Sequence, residues 1–418
     1  MAFERGKYIW WQRPHMRTDA DMALERKASW LELFWDLIFV AVLAELSHYI
    51  VHHFDGFNGI FSFMLLFVPV WWIWNGITFY NERYEVNNVR HRVITVVTMI
   101  PIAGMAYSIH DALGEMAATF AICNIVARLM LAYLWMSACR TPLERQLSTH
   151  FSIGLAVSSG LFIASIFVNP EYRIWLWALA SIADLSSPLF SLHVQAKLPK
   201  ISTSHLPERF GLLIIITLGE TVMSSIKGLT ELKHLSWLTA VIAIESLLIT
   251  FLIWWLYIDH VMYRIFKPKI FYALSWCYLH LPLSIAIIAL SAGISIITTT
   301  FYTGAVAHVP IHMQWILVLF ASATLLTIIL LNKVSESHPH NDGIVDFHHI
   351  AERDLILYKV YGIAFIVLAV LLFNKYLAPV YLLLIIAIGL FIPVAQGLHA
   401  WVKGHTANVE EQADQPLL

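Results

Sequence analysis

The chain has 418 residues, of which 59% are hydrophobic and 13% are charged, about half the charged share of an average soluble domain. Its formal net charge of −2 says little about partners, and no nucleic-acid partner is expected. Whole segments are apolar on every helical face. The composition therefore excludes a soluble globular domain and indicates a polytopic α-helical membrane protein.

Apolar segments of about 20 residues, the length that crosses a bilayer, predict twelve spans. Their predicted bounds are 30–53, 60–80, 92–109, 115–138, 148–168, 172–192, 210–227, 236–258, 270–296, 313–332, 356–373 and 376–398. The expected fold class is thus all-α, a polytopic transmembrane bundle of about twelve helices. The three cysteines, Cys123, Cys139 and Cys277, fall in or beside spans and form no disulfide framework or zinc motif.

Lysine and arginine divide unevenly between the two sides that these spans create. Of the 26, 21 lie in the N-terminal segment, the C-terminal tail and the loops on their side, and four lie in the other loops. Because positively charged loops stay in the cytoplasm, both termini are predicted to be cytoplasmic. The expected location is the plasma (inner) membrane, and the lipid bilayer is an expected partner.

The spans also divide the chain into regions. These are the N-terminal extension 1–29, the first six-helix half 30–192, the connector 193–209, the second half 210–398 and the tail 399–418. A histidine-rich cytoplasmic loop is predicted within the second half, at 333–355. Short matches such as Leu43-Ala44-Glu45 with Leu218-Gly219-Glu220 predict a parallel six-plus-six internal repeat.

Ionisable side chains fall inside the spans, where lipid excludes charge. Five are acids, against the single base Arg128: Asp36, Glu45, Asp184, Glu220 and Glu245. An ionised group at mid-bilayer costs at least about 2.5 kcal/mol. The acids are therefore expected to be protonated, hydrated or paired with a bound cation in a shared polar pocket. The alternative is that they lie at wet span ends or bond to neighbouring hydroxyl groups.

Glu220 is the leading candidate for an ion-binding residue. It stands about ten residues into span 7, near the middle of the bilayer at about 1.5 Å per residue. Gly219 before it is predicted to permit close packing. Glu45, its counterpart in the repeat, heads a stripe with His48 and His52 that could ligate a metal. Solvated histidines are the simpler interpretation, and no metal site is predicted there.

The predicted cytoplasmic end of the first span carries a second group of charges. Ser29-x-x-Glu32 fits a capping box, and Glu208 follows a proline in the first turn of span 7. Helix capping alone explains the presence of both acids, so neither needs a further function. Asp36 lies one turn deeper, and Arg209 is its expected partner at a cytoplasmic gate.

Two further polar residues lie within spans. Arg128 needs an acidic partner, because an unpaired arginine at mid-span is costly. The candidate partners are Asp184, Glu220 and Asp36. An internal structural pin and an anion or gating site are both open for Arg128. His280 stands two residues before a proline, which interrupts backbone hydrogen bonds and can open a polar niche.

The segments Leu31-Glu32-Leu33-Phe34-Trp35-Asp36-Leu37 and Glu208-Arg209-Phe210-Gly211, followed by Leu218-Gly219-Glu220, resemble the bacterial low temperature requirement protein A (LtrA) family. The similarity extends over most of the chain. The positions that match the family's recurring polar residues are Glu32, Asp36, His205, Glu208, Arg209, Gly219, Glu220 and His280. The family's name refers to growth in the cold and implies no particular substrate.

Three functions fit these features. The preferred one is a transporter or permease-like protein for an unknown small molecule or ion, coupled to a proton or monovalent cation, because acids outnumber bases in the spans. The second is a membrane sensor, channel-like or regulatory protein. The third is a membrane-embedded enzyme acting on lipid, which the lack of Gly-x-Ser-x-Gly, His-Glu-x-x-His and phosphate-loop motifs disfavours. No cofactor is predicted, and an oligomer is compatible with all three.

Overall fold

Twelve helices in the computed structural model are long and apolar enough to cross a membrane. The structure describes residues 14–22, 26–54, 56–85, 88–230, 237–302, 308–337, 352–374 and 377–413. We number the helices α1 (Trp30–His52), α2 (Phe57–Arg83), α3 (Val89–Ser108), α4 (Ala117–Ala138), α5 (Pro142–Ile166), α6 (Pro170–Phe190), α7 (His205–Thr230), α8 (Trp237–Tyr257), α9 (Ile270–Tyr302), α10 (Ile311–Val334), α11 (Glu352–Phe373) and α12 (Pro379–Ala413). The predicted all-α class with twelve spans is confirmed.

Side chains are distributed as in a protein surrounded by lipid. Large apolar side chains face outward: Ile100 and Leu372, for example, are 68% and 76% exposed. Three arginines, Arg83, Arg128 and Arg209, are among the largest fully buried side chains. This is the reverse of the usual arrangement in water, where arginine is almost never fully buried unless it is paired. The chain is therefore a multi-pass integral membrane protein.

Two short strand pairings lie beside the helices. β1 (His15–Met16) pairs antiparallel with β2 (Tyr84–Glu85), which follows α2 directly. β3 (Arg264–Phe266) pairs antiparallel with β4 (Ser335–Ser337), which follows α10. Each strand is only two or three residues long, so the helices carry the fold. Residues 338–351, which contain most of the predicted histidine-rich loop, lie outside the described residues.

The helices form two compact units. The first unit comprises the chain up to Leu213 with Pro268–Phe271, and the second comprises Ile214–Lys267 and the chain from Tyr272 onward. In the first unit, α5 packs against α4 and α6, and α1 packs against α3. In the second, α12 packs against α8 and α11. The division falls just beyond the predicted connector 193–209, and the internal repeat stays a prediction.

Helix α7 begins at His205, earlier than the predicted residue 210. The hydroxyl oxygen of Ser202 accepts the N–H groups of Ser204 and His205 at 3.3 and 3.2 Å. These bonds satisfy donors that the first turn of a helix leaves free. Glu208 lies in the first turn of this helix, as predicted, although the predicted bounds of span 7 began only at residue 210.

Helices α11 and α12 approach each other at two glycines. A Cβ atom added at Gly389 would lie 3.0 Å from the Gly362 carbonyl oxygen, and one added at Gly362 would overlap the Gly389 carbonyl. By contrast, no described atom lies within 4 Å of a Cβ atom added at Gly219. The prediction of close packing at Gly219 is therefore wrong for the described residues, because a Cβ atom there would meet open space.

Replacing Gly362 with alanine is expected to lower the free energy of unfolding by about 1–3 kcal/mol, the usual cost of overpacking. The methyl group would meet a backbone carbonyl, which cannot move unless the two helices separate. Gly219→Ala is the matched control and should leave stability unchanged or raise it by up to about 1 kcal/mol, because alanine is the better helix former. Thermal unfolding in detergent measures both, and equal melting temperatures would contradict the close approach at Gly362.

Candidate functional site

The start of α1 is held by the predicted capping box, which is confirmed. The Ser29 hydroxyl oxygen accepts the Glu32 N–H at 3.3 Å, and Glu32 Oε2 accepts the Ser29 N–H at 2.8 Å. The other carboxylate oxygen, Oε1, lies 3.1 Å from Nε2 of His205. Glu32 therefore links the beginnings of α1 and α7 in addition to capping α1.

His205 lies between two carboxylates. Its Nδ1 is 2.7 Å from Glu82 Oε2, on the side opposite the contact with Glu32. The second Glu82 oxygen accepts the Ser202 N–H at 2.7 Å. All three ionisable side chains are buried. Because both ring nitrogens face carboxylate oxygens, only a doubly protonated imidazole donates a hydrogen bond to each.

The predicted ion pair between Asp36 and Arg209 is present. Arg209 Nη1 donates to Asp36 Oδ2 at 2.6 Å and Nη2 donates to Oδ1 at 2.8 Å. The indole N–H of Trp74 donates to the same Oδ1 at 2.9 Å. Such bidentate, charge-assisted contacts are the stronger hydrogen bonds in proteins. The pair is buried, and each oxygen of the Asp36 carboxylate has a donor.

These contacts form one group of charges at the ends of three helices. We call its members the acid–base cluster: Glu32, Asp36, Glu82, His205 and Arg209. Arg26 adds a second guanidinium, with Nη2 3.7 Å from Glu32 Oε2. Three carboxylates then face two guanidinium groups and one imidazole, so a proton on His205 makes the group electrically neutral. Net charge is costly to bury, and the cluster is therefore suited to holding one exchangeable proton.

Glu208 stands apart from the acid–base cluster. Its Oε2 accepts the N–H of Ala28 at 2.7 Å and ties the first turn of α7 to the segment before α1. Its side chain is partly exposed. This contact is structural, in agreement with a first-turn role for Glu208.

Arg128 pairs with Asp184, one of its three predicted partners. Arg128 Nη2 donates to Asp184 Oδ2, and Ser158 donates to the same oxygen at 3.0 Å. The guanidinium carbon lies 4.8 Å from the centre of the Phe162 ring. Both charged side chains are completely buried. Among the described residues, Arg128 Nε and Nη1, Asp184 Oδ1 and both polar atoms of Asn124 have no hydrogen-bond partner.

Two acids are buried among the described residues of the second unit. Glu220 on α7 is 8% exposed, and Ser224 donates to its Oε1 at 3.0 Å. Glu245 on α8 is 7% exposed, and its Oε2 has no hydrogen-bond partner among the described residues. In a bilayer, a carboxylate in this situation is costly unless a proton or a cation neutralises it.

His280 is completely buried on α9. Its Nδ1 lies 2.8 Å from the Trp276 carbonyl oxygen, and its Nε2 lies 3.0 Å from the Tyr257 hydroxyl. One neutral tautomer satisfies both contacts, with Nδ1–H donating to the carbonyl and Nε2 accepting from the hydroxyl. These contacts give His280 a structural role within the second unit.

Glu45 is exposed, as are His48 and His52, whose Nε2 atoms lie 3.1 Å apart. Nine residues, about two and a half helical turns, separate Glu45 from Asp36 and place them on opposite sides of α1. The prediction that Glu45 shares a buried pocket with Asp36 and Arg128 is therefore wrong. No group of three or more His, Cys, Asp or Glu side chains in the described part of the chain could hold a metal ion.

The remaining predicted pocket residues fall into separate groups. Asp36 and Arg128 belong to two different ion pairs of the first unit. Glu220, Glu245 and His280 belong to the second unit. A single pocket that contains all of them stays a prediction.

Sequence reasoning missed several buried ionisable groups, including Glu82 and Lys359. Glu82 stands at the end of α2, and Lys359 stands two turns into α11, where its Nζ lies 3.3 Å from Nδ1 of the buried His260. Both residues lie near the ends of apolar segments, where charges are usually solvated. The Asn-Glu-Arg run at 81–83 was the only available signal for Glu82, and nothing in the sequence distinguishes Lys359 from a lysine at the membrane surface.

Comparisons with known proteins match most of this chain. The family model described as Bacterial low temperature requirement A protein (LtrA) matches residues 27–395. The Uncharacterized protein RA0937 of Rhizobium meliloti (strain 1021) is 27% identical over 292 residues, which cover 64% of this chain and 69% of that protein. No solved structure matches. The matched region begins just before α1 and ends within α12, so it includes all five members of the acid–base cluster as well as Glu220, Glu245 and His280.

Proposed function

The chain belongs to the bacterial low temperature requirement A (LtrA) family, and from that premise we propose that it is a secondary transporter of the inner membrane. It moves an unidentified small solute together with a proton or a monovalent cation. Both termini lie in the cytoplasm, in line with the distribution of lysine and arginine. The proposal goes beyond the family, whose description specifies no transported substrate.

The unpartnered carboxylate oxygen of Glu245 is the observation that carries the proposal. Glu245 lies within a helix apolar enough to span the membrane, and its Oε2 is buried without a hydrogen-bond donor among the described residues. A membrane-buried acid of this kind marks an ion or proton pathway by default. Binding and release of a proton or cation at Glu245 is the coupling event that we propose.

Glu220 is the second ion-handling residue in this proposal. It is buried within α7, and Ser224 supplies a hydroxyl at 3.0 Å. A carboxylate and a hydroxyl are both ligands that hard monovalent cations accept, and the same pair can hold a proton. Two acids in one unit allow the ion to move between sites during a cycle.

The acid–base cluster acts as a gate in the proposed cycle. It joins the starts of α1 and α7 with the end of α2, so breaking its contacts frees these three helix ends from one another. His205 balances the cluster only in its doubly protonated form. Loss of that proton therefore favours separation of the helix ends, which links opening of the gate to proton movement.

The test is solute-driven proton flux in proteoliposomes that contain a pH-sensitive dye. A panel of amino acids, sugars, nucleosides and small carboxylates is added with and without sodium or potassium gradients. At least one solute is expected to change the internal pH or to be taken up with a cation. Glu245→Gln should abolish this coupling, because a glutamine of the same shape can neither bind nor release a proton.

Glu45→Gln is the matched control, because it alters an exposed carboxylate on another helix. It should keep wild-type flux, and both variants should elute and melt like the wild type. Uptake that Glu245→Gln and Glu220→Gln leave intact removes these acids from the mechanism. Folded protein that moves neither solutes nor ions across the panel would favour a sensor over a transporter.

A further inference from the structure

A cavity of about 540 Å³ opens in the first unit, between the first turns of α1 and α3 and the end of α2. This volume is within the range of pockets that hold small molecules. The side chains that matter here are Arg26, Glu32, His91, Arg92, Trp30 and Phe34. The cavity thus combines basic groups on one part of its wall with large aromatic groups on another.

The basic part of the wall is arranged to attract an anion. Arg26 is held in place because its Nη1 donates to the Asn81 carbonyl at 2.8 Å, and Arg92 has an exposed side chain. Glu32 is the one acid on the wall, but Oε2 accepts its capping N–H and Oε1 contacts His205. Arg26 Nη2 also lies 3.7 Å from Glu32 Oε2. The charge of Glu32 is therefore already compensated, and the wall carries two arginines against this one acid, so its net charge is positive.

Helix geometry strengthens the same field. Both α1 and α3 begin at this cavity, so their N-terminal ends add partial positive charge to it. Ser29 and Asn88 cap the two helices through single N–H groups at Glu32 and His91. Side-chain charge and helix dipoles thus favour the same kind of ligand, a compact anion such as a phosphate group.

The aromatic part of the wall continues onto the apolar outside of the unit. Trp30 is 88% exposed, and Phe34 follows one turn later on the same side of α1. On the neighbouring α3, Val93 and Ile100 are also exposed. Tryptophan at such a position marks the boundary between headgroups and acyl chains. An apolar strip therefore leads from the cavity along two packed helices.

We propose that this cavity binds one anionic phospholipid. The phosphate group of the lipid lies between Arg26 and Arg92, and an acyl chain follows the exposed strip that begins at Trp30 and Phe34. A soluble phosphate compound fits less well, because it would leave that apolar strip unused. The proposal does not depend on the proposed transport activity, although Glu32 and Arg26 belong to the cavity wall and also interact within the acid–base cluster.

Native mass spectrometry of the full-length detergent-purified protein tests the site. Wild-type protein should retain phosphatidylglycerol in preference to phosphatidylcholine with the same acyl chains. An arginine near the membrane surface contributes about 1 kcal/mol to the binding of anionic lipid. The Arg26→Gln/Arg92→Gln variant lacks two such arginines, so its retention of phosphatidylglycerol should be weaker by roughly tenfold or more. Arg140→Gln/Arg145→Gln is the matched control, because it removes two exposed arginines outside the cavity.

If loss of the Arg26 contact to Asn81 prevents folding of the double variant, Arg92→Gln alone is measured instead, since Arg92 is exposed. It should show a smaller loss of phosphatidylglycerol in the same direction. Equal retention of the two lipids by the wild type overturns the proposal, and so does unchanged retention by Arg92→Gln. Displacement of the lipid by inorganic phosphate at equal concentration would instead assign the cavity to a soluble phosphate compound.

Discussion

Replacing Arg209 with methionine is expected to destabilise the protein by about 3–5 kcal/mol, the usual cost of leaving a buried charge without its partner. Asp36 receives two hydrogen bonds from Arg209 and one from Trp74. Methionine has a similar length and fills most of the space, but it offers no donor. The Asp36 carboxylate would then keep the indole N–H alone, inside a unit that holds it away from water and headgroups.

A double-mutant cycle separates this ion pair from packing effects. Asp36→Leu alone should also destabilise, because it strands the Arg209 guanidinium. The double variant Asp36→Leu/Arg209→Met should cost clearly less than the two single changes added together, since neither charge is left unpaired. Thermal unfolding in detergent measures the stability of all three variants. Arg145→Met, which changes an exposed arginine, is the control and should lie within about 0.5 kcal/mol of the wild type. Additive effects would mean that the contact contributes no interaction energy.

Local sequence patterns were sufficient to predict the spans, the capping box and one ion pair. Long apolar segments identify helices because the bilayer demands length and hydrophobicity from each one separately. Ser29 and Glu32 form their box within a single turn, so no tertiary contact is needed to predict it. The Asp36–Arg209 pair was within reach because Asp36 stands within two turns, and Arg209 about one turn, of a helix start, where opposite charges can be matched.

The rest of the site depends on how helices rotate and pack. Glu45 was grouped with Glu220 by a three-residue match, but its direction follows from the rotation of α1, which turns it away from the side that buries Asp36. Glu82 lies beyond the apolar run of α2 and becomes a partner of His205 only when α2 and α7 meet. A single sequence does not specify such contacts between distant helices.

The Asp36–Arg209 and Arg128–Asp184 pairs differ in how completely their atoms are bonded. The Asp36 carboxylate has a donor at each oxygen and only Nε of Arg209 lacks a partner, whereas Asp184 Oδ1 and two Arg128 nitrogens have no partner among the described residues. Polar atoms left unbonded in a buried site each cost stability. The Arg128–Asp184 pair is thus a weaker source of stability than its full burial suggests, and selection for function is a reason to keep it.

This contrast gives the last prediction. Arg128→Met alone should destabilise the protein by about 3–5 kcal/mol, because the buried Asp184 carboxylate would keep its charge with only Ser158 as a donor. The double variant Arg128→Met/Asp184→Leu should instead be neutral or more stable than the wild type by up to about 4 kcal/mol, since apolar side chains of similar volume have no unbonded polar atoms. Thermal unfolding of both variants measures the difference.

The double variant also distinguishes a structural pin from a functional site at Arg128. Apolar packing can replace a purely structural ion pair. If the double variant is stable and still takes up the solute found in the proteoliposome screen, then the role of Arg128 is structural. A stable double variant without uptake places Arg128 in the transport path, because its fold is intact and only charge has been lost. If the double variant is as unstable as Arg128→Met alone, then the unbonded atoms do not weaken the pair, and the contrast with Asp36–Arg209 fails.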